Sequence, residues 1–227
     1  MMPPYVILYF MPHALIGDMR FLKVVDWPIE FLYFPVMNIV RNIQTEILAS
    51  DWAVLKKLTY EYCKEDGEWE IQTREVYDRG NGVTILLYHP QKKTVLLTVQ
   101  FRIPTFLNGN PDGHLIETPA GKLEDESPEE CIKREVLEET GYSIQDVEKI
   151  FEAYMSPGSV TELIHFYFAE YQDEMKVNNG GGNDQEQENI QVLEVHLNDA
   201  LGMMKTGEIK DAKTIMLLQY AQNMRLL

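Results

Sequence analysis

Gly121-Lys-Leu-Glu-Asp-Glu-Ser-Pro-Glu-Glu-Cys-Ile-Lys-Arg-Glu-Val-Leu-Glu-Glu-Thr-Gly-Tyr142 decides how this sequence is read. Its second half carries every local signal of a helix over 128–140. Ser127 is a suitable N-cap, Pro128 stands at the first helical position, and Glu129 and Glu130 suit the positive end of the helix dipole. Gly141 supplies the stop. On such a helix Glu135, Glu138 and Glu139 stand at i, i+3 and i+4, so three carboxylates crowd one face with Cβ atoms ~5–6 Å apart. Arg134 can meet Glu138 one turn on, but most of the negative charge stays uncompensated. Carboxylates this close destabilise one another unless a positive charge joins them. A hard divalent cation with oxygen ligands does so, and magnesium bridges readily to phosphate oxygens. A solvated acidic face would explain an isolated Glu-x-x-Glu-Glu; here the flanking residues argue otherwise.

Outward from the helix the chain alternates strands and turns. Segments 43–48, 55–62 and 69–77 are rich in β-branched and aromatic residues, with Glu65, Asp66 and Gly67 as a hairpin turn, and predict a small antiparallel sheet. Asp78, Arg79, Gly80, Asn81 and Gly82 form a turn cluster that serves as a boundary. Strands are expected at 83–88, 94–101, 149–154, 162–171 and 190–195, and closing helices at 197–205 and 211–224. An Asn- and Gly-rich loop is expected at 107–113. The acidic loop at 178–188 carries three consecutive glycines, Gly180, Gly181 and Gly182, which predict a swinging segment. Strands flanked by helices indicate an α/β sandwich.

The 227 residues, 45% hydrophobic, suffice for one core and an appendage. The formal charge of −16 is the wrong sign for tracking a phosphate backbone, so nucleic acid is not an expected partner. Anionic substrates remain compatible where a cation intervenes. Cys63 and Cys131 match no metal-ligand spacing and read as reduced, small hydrophobes of a cytoplasmic protein. Segment 1–36 is apolar but is broken by Pro3, Pro4, Pro12, Pro28 and Pro35 and by five charged residues. It holds no ~18-residue apolar run to span a membrane, and no positive charge precedes its apolar stretch as a signal peptide requires. Met37 reads as a domain start, which leaves 1–36 either a non-native leader or a functional extension. The expected organisation is a leader over 1–36, a β-sheet subdomain over 37–78 and a catalytic domain over 79–227.

The helix and its approach resemble the box that defines the Nudix hydrolases, whose core is Arg-Glu-apolar-x-Glu-Glu-x-Gly-apolar. Arg134, Glu135, Val136, Glu138, Glu139, Gly141 and Tyr142 match it position by position, and Glu126 lies eight before Arg134, where the first glutamate belongs. Gly121 stands one residue closer to Glu126 than usual, a deletion confined to the loop before the helix. The resemblance extends over nearly everything from Met37 onward. Thr73-Arg-Glu-Val-Tyr-Asp-Arg-Gly-Asn-Gly82, Gln100-Phe-Arg102, Tyr154-Met-Ser-Pro-Gly158, Thr161-Glu-Leu-Ile-His-Phe166 and Lys205-Thr-Gly-Glu-Ile209 look like the bacterial GDP-mannose pyrophosphatases, close relatives of the ADP-ribose pyrophosphatases.

That resemblance implies an α/β/α sandwich with a mixed sheet, preceded by a small antiparallel sheet that exchanges between the subunits of a homodimer. It implies hydrolysis of the pyrophosphate bond of a nucleoside-diphosphate sugar with Mg2+, or Mn2+ in its place. Glu135 and Glu139 would be metal ligands, joined by the carbonyl of Ala120, with Glu138 a third ligand directly or through water. Arg134 and Glu126 would hold loop to helix. A glutamate on the loop after the box would be the general base and bind metal; counting back from the last strand, Glu188 matches best, with Glu186 in reserve. Arg102 offers a fork of donors suited to a phosphate. Arg74 and Glu75 would meet the nucleotide from the exchanged strand, Trp52 could stack on a base, Glu162 would meet the sugar, and Lys213 would reach a phosphate. ADP-ribose is the alternative substrate, and a non-catalytic sensor a third reading. The intact carboxylate set argues against the sensor.

Overall fold

A computed structural model of the chain describes residues 39–183, 185 and 187–224. The leader at 1–36, the proposed start at Met37 and the reserve base Glu186 lie outside the described residues. Three strands, β1 (Val40–Ser50), β2 (Val54–Cys63) and β3 (Trp69–Asp78), form an antiparallel sheet in the order β1-β2-β3. The turn from β2 to β3 closes where expected, with Gly67 at φ +85°, a conformation that costs glycine little. Lys57 lies opposite Glu75, and Leu58 opposite Arg74. Much of this sheet faces solvent, including the large apolar side chains of Ile43, Ile47 and Ile71.

The main sheet is mixed, as expected. Its path runs β10 (Gln191–His196), β5 (Thr94–Phe101), β4 (Gly82–His89), β9 (Leu163–Glu170), β8 (Glu148–Tyr154), with β6 (His114–Glu117) paired to β5 and β7 (Ala120–Lys122) paired to β4. Only β4 and β9 run parallel among these pairs. Every residue of β4 is buried, which requires cover on both faces. Alternation supplies it. Val83, Ile85 and Leu87 pack toward α2 (Pro128–Thr140), whereas Leu86 and Tyr88 pack toward α3 (Leu197–Thr206) and α4 (Ala212–Asn223). The chain is thus an α/β/α sandwich with a separate small sheet before it.

The ladder between β4 and β5 covers only Leu87–His89 on β4. Toward the other end the two strands part, and β7 takes the place beside β4 while β6 lines β5. The short β6 and β7 were not expected from the sequence. Nor was the five-residue helix α1 (Ile103–Leu107), which lies between β5 and the expected loop and meets that loop at Leu107. Thr84 stitches the opening shut from beneath. Its hydroxyl lies 2.9 Å from that of Thr118 and 3.1 Å from the Pro119 carbonyl. The cleft sits over this divergence.

Candidate active site

Helix α2 begins with a complete capping box. The Ser127 hydroxyl accepts from the Glu130 N–H at 3.2 Å, and the Glu130 carboxylate accepts from the Ser127 N–H at 3.1 Å. It ends at Gly141 with φ +79°. Its buried stripe is Cys131, Ile132, Glu135, Val136, Glu139 and Thr140, so two of the three clustered glutamates lie on the core side of the helix. Burying a carboxylate penalises its charged form. Burial, together with the neighbouring charges of Glu138 and Glu188, pushes Glu135 up to about 7 even though Arg134 pulls it down. Burial, with the charges of Glu135 and Glu188, also holds Glu139 well above the usual carboxylate range.

The strand entering the helix supplies the rest of this corner. A Cβ on Gly121 would stand 2.0 Å from Oε1 of Glu135, so only glycine permits this approach. The one-residue shortening of the loop therefore leaves the glycine seated on the carboxylate. The Ala120 N–H donates to Oε2 of Glu139 at 3.3 Å. Arg134 does what the resemblance implied for it. Its guanidinium reaches Glu126 at 2.6 Å, Glu135 at 3.0 Å and Glu138 at 3.1 Å, one cation among three carboxylates.

Trp52, Arg102, Ala120, Glu135, Glu162, Glu188 and Lys213 line one cleft of about 760 Å³. Seven of the expected site residues are brought together there. Glu139 lies buried beside it against Ala120. Glu138 lines a neighbouring hollow with Gly180, Gly181 and Gly182, its carboxylate bonded to Arg134 at 3.1 Å. Arg74 and Glu75 are not brought to the cleft within one chain; they are exposed side chains of β3, in the separate sheet. Trp52 lines the cleft with 69% of its surface exposed.

Three contributors were not anticipated. Arg79, from the turn cluster read only as a boundary, lies 3.3 Å from Glu162 and places its guanidinium 5.2 Å from the Trp52 ring centre. Gln100 lines the cleft two residues before Arg102 on β5, the same-face spacing that could have identified it. Glu117 of β6 is 4% exposed and binds Arg102 at 2.8 Å and Lys213 at 3.5 Å. No local pattern marks that residue in the sequence.

The donor set fits a hard divalent cation. Two buried carboxylates and a third on a facing loop repel one another, and Arg134, bonded to Glu135, is already shared with Glu126 and Glu138. Among the described residues no three acidic, histidine or cysteine side chains converge into a closed cage. A magnesium-type ion that keeps several waters and uses one or two carboxylates needs none.

Residues 39–77 match the GDP-mannose pyrophosphatase NudK N-terminal domain, and residues 78–218 match the NUDIX domain. The chain is 55% identical over 183 residues to the GDP-mannose pyrophosphatase of Yersinia enterocolitica, covering 81% of this chain and 95% of that one. It is 54% identical over 188 residues to proteins of the same name from Escherichia coli O139:H28 and Shigella boydii, covering 83% of this chain and 97% of each.

Proposed function

The chain belongs to the Nudix hydrolase family, and from that premise we propose that it hydrolyses GDP-mannose to GMP and mannose 1-phosphate. The observation that carries this reading is the polarity of the cleft. Glu135 of α2 lines it, with Glu139 buried beside it, and the cations of Arg102 and Lys213 line it too. A diphosphate placed between them meets Arg102 and Lys213 directly and needs a cation to meet Glu135 and Glu139. We assign that cation as Mg2+: Glu135 and Glu139 would hold it with the Ala120 carbonyl, Glu188 would meet it through bound water, and it would neutralise charge on the diphosphate oxygens.

The protein's own groups then have separable tasks. Arg102 and Lys213 orient the phosphates. Trp52, exposed beside the cleft, offers a face for the base. Glu162, held by Arg79, offers an acceptor to sugar hydroxyls. Glu188 takes a proton from water as the water oxygen bonds to phosphorus and the bridging P–O bond breaks. Exposed Ile43, Ile47 and Ile71 on the small sheet favour a homodimer, which would bring Arg74 and Glu75 to a partner's cleft. Free Cys63 and Cys131 accord with a reducing, cytoplasmic setting. Among the described residues no helix is long and apolar enough to cross a membrane.

A panel of nucleotide sugars with magnesium tests the substrate. GDP-mannose should give the highest kcat/KM, and a higher value for ADP-ribose would replace the substrate while leaving the family unchanged.

A further inference from the structure

The three glycines expected to act as a hinge have a different place in the structure. A helix C-terminus leaves four carbonyls without intrahelical partners. At the end of α2, the Gly181 N–H donates to the Glu139 carbonyl at 2.9 Å and the Gly182 N–H to the Glu138 carbonyl at 3.1 Å. The loop is thus bonded to the backbone of the residues whose side chains form the acidic face. Gly180, Gly181 and Gly182 have φ of +64°, +119° and +87°. A Cβ on Gly180 would lie 2.3 Å from the Glu139 carbonyl oxygen. The far end of the loop returns through the Ile190 N–H, which donates to the Gly181 carbonyl at 3.0 Å.

Glu188 is fixed inside this ring. The Asn183 N–H donates to its Oε2 at 3.1 Å, and its own N–H donates to the Asn183 carbonyl at 3.3 Å. A Cβ on Gly182 would stand 2.7 Å from both Cβ and Oε2 of Glu188. A Cβ on Gly181 would meet only the Ile190 carbonyl oxygen, at 3.9 Å. The two neighbours therefore differ in one respect that matters. Both need a backbone unsuited to L-residues, and Gly181, at +119°, lies farther from the left-handed minimum near +57°. Only at 182 does a side chain collide with Glu188.

We propose that Gly182 is a positioning residue for Glu188. By lacking a side chain it leaves the space in which the carboxylate is pinned by Asn183 and presented to the cleft. The assignment rests on Glu188 being the base. It couples the catalytic carboxylate to the end of α2, so that the metal-face helix and the base loop form one bonded unit.

The experiment compares Gly181→Ala, Gly182→Ala, Glu188→Gln and the double variant Gly182→Ala/Glu188→Gln, using kcat, KM and Tm with GDP-mannose and magnesium. Gly182→Ala should lower kcat at least about tenfold more than Gly181→Ala, with KM within about twofold of the parent. In the Glu188→Gln background Gly182→Ala should remove no further activity, because groups that act as a unit are non-additive. Equal kcat for the two alanine variants, or fully multiplicative losses in the double variant, overturns the proposal. A Glu188→Gln protein with parental kcat removes the base reading and this proposal with it; a crippled Glu188→Gln beside an active Gly182→Ala removes this proposal alone. Stability gives a second reading that survives loss of activity. In a Glu188→Gly background both 2.7 Å contacts are gone and only the Ile190 Cδ1 contact at 3.1 Å remains, so Gly182→Ala should lower Tm less than it does in the parent, and an equal or larger fall there contradicts the proposal.

Discussion

The Arg102 Nε donates to Oε2 of Glu117 at 2.8 Å, and the other oxygen of the same buried carboxylate stands 3.5 Å from Nζ of Lys213. One carboxylate on β6 thereby fixes two cations contributed by β5's end and by α4. Glu117→Gln keeps the shape and removes the charge. It should lower kcat by about tenfold or more while KM stays level or falls, since the substrate phosphates would then face Arg102 without its carboxylate and Lys213 held by Asp211 alone, at 2.7 Å. Steady-state kinetics decides this; a raised KM with parental kcat would show that Glu117 holds the ground-state complex instead.

Trp52 contributes little to folding if its ring is left in solvent, as its exposure indicates. Surface substitutions usually change stability by within about 0.5 kcal/mol. Trp52→Ala should therefore keep its Tm, raise KM for GDP-mannose several-fold and change kcat little, with Trp52→Phe intermediate. An unaltered KM would remove Trp52 from the site.

Burial pushes the Cys131 thiol up to about 12, helped by the nearby charges of Glu135 and Glu126. The thiolate is the reactive form, so alkylation of Cys131 at pH 8 should be roughly a thousandfold slower in the native protein than in urea. Mass spectrometry of the alkylated peptide reads this directly. Comparable rates in the two states would mean that the α2 stripe is not buried.

The metal-face helix was fully legible because its signals are local. Ser127, Pro128, the carboxylate spacing and Gly141 each act within one or two turns of the chain. The central strands were legible for a related reason, since β4 and β5 are apolar runs bounded by turn residues. What was not legible depended on contacts distant in sequence. β6 and β7 exist because β4 and β5 diverge, and Glu117 matters only because that divergence sets it between Arg102 and Lys213. Arg79 stood in a turn cluster read as a boundary, and its approach to Glu162 and Trp52 gives it a role. Gly180, Gly181 and Gly182 could be read for conformational freedom, but not for the helix end that uses it.

The buried pair Glu135 and Glu139 repels in the absence of a cation, so magnesium should raise the Tm of the parent protein. Glu139→Gln should lose most of that increment and cut turnover by a hundredfold or more, with folding intact. Thermal melts with and without chelator measure the first, and initial rates the second. A Tm that magnesium raises equally in both proteins would place the metal elsewhere.

The most direct measurement of the central claim is phosphorus NMR of GDP-mannose incubated with the purified protein, in magnesium and in excess chelator. The account predicts that with magnesium the two coupled diphosphate resonances give way to the separate monoester signals of GMP and mannose 1-phosphate, and that they persist in chelator. Diphosphate resonances that endure in magnesium, or vanish equally fast in chelator, would contradict it.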